Sequence, residues 1–300
     1  LIPTNVTNHF SINFKSRKTM KSVFKLAMLP LLALALATAS CKKDEPTPPP
    51  PTVDPYKDLY KIGDADLATA GLTLALYMDE EPFAGYNRVY AVVKDKVTNL
   101  VLENATVTFA PLMDMGAMTH SAPFEQPTWN AEAKAQKGAV TFIMPSTNGT
   151  WYLTVKATNP TTLVEEDHQF TFEVIAKTES RIYSFVSAFD GTTKVFVALV
   201  EPPKWKTGMN DFEVVVYKKA SMMSFPAMTD LQIEIDPEMP TMGHGSPNNV
   251  NPVHMANGHY KGQVNFTMTG YWKVNMVVKD ANGNVMNDQG FFDITFTNIF

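Results

Sequence analysis

The strongest constraint on this chain is that it repeats itself. Met115, Met118, His120, Pro123, Lys137, Gly138, Val140, Phe142 and Met144 recur as the same residue types 124 positions later, at Met239, Met242, His244, Pro247, Lys261, Gly262, Val264, Phe266 and Met268. Trp151 and Trp272 match after a three-residue gap, and upstream Leu76, Gly85 and Asn87 match Leu199, Gly208 and Asn210 at an offset of 123. Two tandem copies of one domain, meeting near 176–180, follow from this. A chain of 300 residues with 45% hydrophobic content is long enough for each copy to bury its own core.

Within each copy, short runs rich in Val, Ile, Phe, Tyr and Thr alternate with a period near two, and Asn-Gly, Asp-Gly and Pro punctuate them. Strands are expected over 72–77, 88–94, 105–109, 138–144, 150–157 and 169–175 in the first copy. The second copy offers 194–200, 211–217, 231–235, 262–268, 271–279 and 291–296. No segment sustains a helical period. Regularly spaced short strands predict an all-β chain of two tandem immunoglobulin-like β-sandwiches, lacking the cysteine pair of that fold. The expected domains are 58–177, a degenerate repeat, and 178–300.

Ahead of them, Lys21 and Lys25 precede an apolar run over 26–37 and then Thr38, Ala39, Ser40 and Cys41. That order is the one found in a secretory signal, and small residues leading into cysteine resemble a bacterial lipobox. The region 1–40 is therefore expected to be untranslated or signal peptide, with 1–19 preceding the natural-looking start at Met20. Cys41 is the expected lipidation site, followed over 41–57 by a Pro-rich tether in extended polyproline II. The partner implied is a membrane, reached through lipid on Cys41, and the expected location is the bacterial outer membrane, facing the periplasm or the cell surface. Lipidation of the single cysteine leaves no thiol ligand and no disulfide.

Charge narrows the partners further. The 25 Lys and Arg include Lys15, Arg17, Lys18, Lys21 and Lys25, all before Cys41, while all 30 Asp and Glu lie after it. The mature part is thus acidic without a basic patch, which argues against nucleic acid.

The candidate chemistry lies in 238–268, where His244, His254 and His259 stand with Met239, Met242, Met255 and Met268. Imidazole and thioether suit copper. Met268 and Met144 continue the alternations Val264-Phe266-Met268 and Val140-Phe142-Met144 and read as core, as does Met276 beside Trp272, Val274 and Val278. The segment before them is rich in Pro and Gly, so its Met and His side chains have no evident core to fill. It reads as one long loop between two strands, and a loop of that length is itself a functional signal. The expected ligands of a copper ion are His244, His259 and Met242, then His254, Met239 and Met255. Met115, Met118 and His120 form a weaker first-domain counterpart. Met222, Met223 and Met228 fall in an apolar loop, as packing or as an exposed soft patch. Nucleophile elbow, phosphate-cradling loop and cysteine nucleophile are all missing, so no enzyme is expected.

Pro240-Thr-Met242-Gly-His244, Gly258-His259-Tyr260, Gly262 and Phe266-Thr-Met268-Thr-Gly-Tyr-Trp272 resemble the YtkA-like domain, related to FixH-like proteins. The resemblance implies an extracytoplasmic immunoglobulin-like sandwich linked to copper handling. The first copy departs from it, with Asn130 and Ala135 in place of His254 and His259. The expected function is copper carriage or sequestration, with a metal-exchange protein as partner. The alternative is a cell-surface interaction or adhesion module that grips a protein or glycan without metal.

Overall fold

A computed structural model describes residues 54–287 and 290–296. The expected signal region, Cys41 and the tether up to residue 53 lie outside the described residues. The tether's last residues, 54–57, are described. Tyr56 is buried, stacks on Tyr77 with ring centroids 5.2 Å apart, and donates its hydroxyl to the Lys134 carbonyl at 2.8 Å.

The described residues form eighteen strands and no α-helix. The first nine are β1 (Tyr60–Leu67), β2 (Leu72–Met78), β3 (Gly85–Asp95), β4 (Thr106–Asp114), β5 (Thr119–His120), β6 (Phe124–Asn130), β7 (Ala135–Phe142), β8 (Thr150–Thr158) and β9 (Glu165–Phe172). The second nine are β10 (Ile182–Val186), β11 (Lys194–Glu201), β12 (Gly208–Lys218), β13 (Gln232–Met239), β14 (His244–Gly245), β15 (Val250–Ala256), β16 (His259–Phe266), β17 (Tyr271–Lys279) and β18 (Phe291–Thr295).

The two sets are the same fold twice. One sheet runs β1-β2-β3-β7-β6 and its counterpart β10-β11-β12-β16-β15, while the facing sheets run β5-β4-β8-β9 and β14-β13-β17-β18. Every strand pair within these sheets is antiparallel. Alternation sends Leu72, Leu74, Leu76, Trp151, Leu153 and Val155 into the first core. Val195, Val197, Leu199, Trp272, Val274 and Met276 do the same in the second.

The repeated residues are those that the fold needs twice. Asn87 donates to the carbonyls of Phe83 and Gly85 and accepts from the Phe83 N–H, and Asn210 does the same with Lys206 and Gly208. Each Asn therefore pins the turn that opens β3 or β12. Gly138 and Gly262 sit under bulges in β6 and β15. A Cβ at Gly262 would lie 2.3 Å from the Val250 carbonyl oxygen, and one at Gly138 would lie 2.6 Å from that of Glu125.

The outer faces of the two larger sheets are also covered, which is why β3, β11 and β12 read as nearly continuous apolar runs. Tyr90 and Val92 pack with Tyr56 and Ala135. Phe196, Ala198, Val200, Val215 and Tyr217 pack with Phe225 of the β12–β13 loop and with Tyr86 and Ile143 of the first sandwich. This second cluster joins the two sandwiches. Polar links reinforce it: Arg88 bridges Asp79, at 3.2 Å, to Glu201 of β11, and the Ser121 N–H donates to the Met222 carbonyl at 2.9 Å.

Candidate functional site

The segment read as one long loop is largely strand. β14 and β15 occupy it, and pairing to β13 and β16 fixes its side chains in three separate places.

The first place is the joint between the sandwiches. His259 opens β16 beside Val215 of β12. Both ring nitrogens donate, Nδ1 to Glu213 Oε1 and Nε2 to Glu125 Oε1, each at 2.7 Å. Tyr86 meets the ring edge-on at 5.7 Å between centroids, the Tyr217 hydroxyl donates to Glu125 Oε1 at 3.4 Å, and Lys261 Nζ lies 3.1 Å from Glu213 Oε2. Burial alone would depress the pKa of His259, but hydrogen bonds and charge from Glu125 and Glu213 outweigh it and raise the value to about 9. Burial would likewise raise the Glu213 carboxyl, yet donors from His259 and Lys261 hold it below the usual carboxylate range. Protonated, with both nitrogens engaged, this ring has no lone pair for a metal. His259, foremost among the expected ligands, instead holds two domains together.

The second place is the edge of the sheet. His254 and Met255 lie on β15, both exposed, with Met255 at 60%. The His254 ring leans on Tyr260 at 5.2 Å, and its Nε2 accepts from the Gly258 N–H at 3.4 Å.

The third place is the opposite end of the second sandwich. Met239 and His244 are direct cross-strand partners on β13 and β14, so their side chains share a face. His244 is half-buried and edge-on to Trp272 at 5.7 Å, and Trp272 in turn touches Phe266, at the far end of β16 from His259, at 5.4 Å. Those seven residues of β16 span roughly 23 Å at about 3.3 Å each, so His244 and His259 cannot share a coordination sphere. Met239 is core, 3% exposed. Met242 in the tight turn is 61% exposed, and Met268, expected in the core, is 39% exposed. The Trp272 N–H donates to the Met268 carbonyl at 3.1 Å, which tethers that residue beside the cluster. Of the six expected ligands, the fold therefore sets Met239 opposite His244, leaves Met242 exposed in the turn between them, and takes His254, Met255 and His259 elsewhere, while the Met268 backbone meets the same tryptophan. Among the described residues no group of three or more His, Cys, Asp or Glu forms a metal cluster.

The first sandwich repeats this end. Met113 is the cross-strand partner of His120, the His120 ring stands edge-on to Trp151 at 5.3 Å, and the Trp151 N–H donates to the Met144 carbonyl at 3.0 Å. Met113, not Met115, is thus the structural counterpart of Met239, because the first-domain turn is two residues longer. Met115 is half-buried, Met118 lies outside at 54% exposure, and Met144, expected in the core, is also half-buried. Sequence reasoning missed Glu125, Glu213 and Met113. A charge at Glu213 inside the apolar run of β12 was the one available signal for the joint.

Comparison with known proteins gives the following. No curated protein matches the chain. Among solved structures, the adhesin InvE of Yersinia pseudotuberculosis is 14% identical with a TM-score of 0.26, covering 76% of this chain and 60% of the adhesin. A chimeric titin Z1Z2 tandem carrying a GRGDS peptide from fibronectin is 11% identical with a TM-score of 0.17, covering 71% of this chain and 91% of the chimera. The chain thus spans 60% of the length of the adhesin. The family model described as YtkA-like matches residues 190–277, from the turn before β11 through most of β17, so the likeness falls within the second sandwich.

Proposed function

We propose that this is a lipid-anchored extracytoplasmic module that carries or sequesters copper, and that its second domain takes up Cu(I) at the end where His244 stands against Trp272 with Met239 opposite it and Met242 and Met268 in the adjoining turns. One observation carries the reading: an imidazole and a thioether placed directly opposite one another in β13 and β14, against the edge of a tryptophan. Soft sulfur with imidazole is the donor set that Cu(I) prefers. The YtkA-like match over the same residues supports it. Exposed Met242 provides a thioether for ligand exchange with a partner protein, so the module acts by binding and transfer, not by catalysis.

The test is titration of the full chain with Cu(I) against a competing chelator. His244→Ala is expected to weaken uptake by about 10-fold or more, whereas His259→Gln and His254→Ala leave it unchanged. Equal affinity in His244→Ala and wild type sinks the assignment.

The metal-free adhesion reading has its own support in β15. It is the edge of its sheet and exposes Val250, Val253 and Met255, an apolar row that side chains of a partner could cover.

A further inference from the structure

The first sandwich lies outside the YtkA-like match and lacks the equivalents of His254 and His259, yet it holds His120 in the more demanding setting. His120 is 4% exposed. Its Nδ1 is 2.8 Å from the Ser121 carbonyl oxygen, which only accepts, so Nδ1 bears the proton and Nε2 presents a lone pair. That Nε2 is fully buried and has no hydrogen-bond partner among the described residues. A stranded acceptor of this kind is destabilising, and a sandwich core would be better served there by a purely apolar side chain.

The surroundings narrow what relieves it. The neighbouring donor, the Trp151 N–H, is committed to the Met144 carbonyl. Met113 faces His120 across the β4–β5 pair, and its side chain converges with that of Met115 over Gly149. A Cβ there would meet Met113 Cε at 3.0 Å and Met115 Cγ at 3.1 Å. Thioethers have no proton to donate. A trapped water would need several good polar partners, and the two thioethers of this wall are poor ones. Imidazole and thioether together instead suit a soft monovalent cation.

The nest also lies at the domain joint. The N–H next to His120, that of Ser121, donates to the carbonyl of Met222 on the second domain's loop, and Glu125 of the following strand holds His259. Met118, in the turn between β4 and β5, is exposed. The histidines missing from this copy have counterparts that serve the sheet edge and the joint, so their absence takes nothing from the nest.

We infer that His120 Nε2, with the thioethers of Met113 and Met115 beside Trp151, forms a second Cu(I) site at the joint between the two sandwiches. The choice of ion rests on the reading proposed above; the site does not share its residues. The full chain, titrated with Cu(I) against a competing chelator, is expected to take up two equivalents. Met113→Leu/Met115→Leu, which keeps side-chain volume and removes both sulfurs, should lose one equivalent, and His244→Ala should lose the other. Equal stoichiometry in wild type and the double leucine variant overturns the inference. If His244→Ala then abolishes the remaining uptake, the second-domain reading stands alone. Loss in the leucine variant alone, with His244→Ala unaffected, leaves this site standing and removes the other. A second readout does not depend on the variant folding: the His120 Nε2 nitrogen resonance of the wild-type chain should move on addition of Cu(I). A resonance that stays in place overturns the site.

Discussion

At the scale of single residues, His259 is where chemistry and architecture part. Its pKa is raised in the folded chain from 6.5 to about 9, against burial that pulls the other way, because Glu125 and Glu213 both accept from it. The imidazolium's contribution to stability is therefore fully present below about pH 6.5 and is lost as pH rises through about 9. Allowing for partial solvent access, it amounts to about 1–3 kcal/mol at neutral pH. Thermal melts of wild type and Glu125→Gln should differ clearly at pH 6 to 7, and the gap should close above about pH 9. His259→Gln should destabilise at neutral pH by a similar amount, since it leaves two carboxylates facing each other without the cation, and Cu(I) uptake should not change. None of this was legible in the residue itself. Histidine beside methionine in one stretch reads as a ligand set until a strand direction separates them.

At the scale of elements, all twelve strands expected from alternation are present, and the six not foreseen are β1, β5, β6, β10, β14 and β15, each an edge strand. Edges carry prolines, charges and bulges that discourage further pairing, and those residues erase the period-two signal. Pro127 in β6 and Pro252 in β15 are such positions. The misreading of 239–259 as loop came from this, and with it the expected convergence of ligands. The bulges rest on glycine, so Gly262→Ala should drive a methyl group into the Val250 carbonyl and loosen β15, costing about 2–4 kcal/mol. Gly138→Ala presses on the Glu125 carbonyl in the same way. It should also reduce the pH-dependent part of stability, since Glu125 reaches His259 from that bulge. Hydrogen exchange along β6 and β15, with melts across pH, would check both; protection equal to wild type in either variant would refute the steric account.

At the scale of the whole molecule, two sandwiches share an apolar joint sealed at its rim by ionic contacts. Phe196, Val200 and Tyr217 face outward from the second sandwich and meet Tyr86 and Ile143 of the first, while Arg88 and His259 reach across to Glu201 and Glu125. Removing both cations in Arg88→Ala/His259→Gln leaves the apolar contact but frees its rim. Limited proteolysis should then cut within 173–181 several-fold faster than in wild type, with each sandwich surviving intact. An unchanged cleavage rate would mean that the apolar cluster alone holds the joint.

By itself the sequence determined the doubling, the all-β class and the face each central strand turns to its core, because alternation and repetition are local properties that survive in one dimension. It also placed the matched pairs His120 with Trp151 and His244 with Trp272 without showing that each pair touches. Only the tertiary structure decided which histidines meet which methionines. Strand direction and sheet membership are set by long-range pairing, and a run of seven residues along β16 is enough to turn an expected ligand into a clasp between domains.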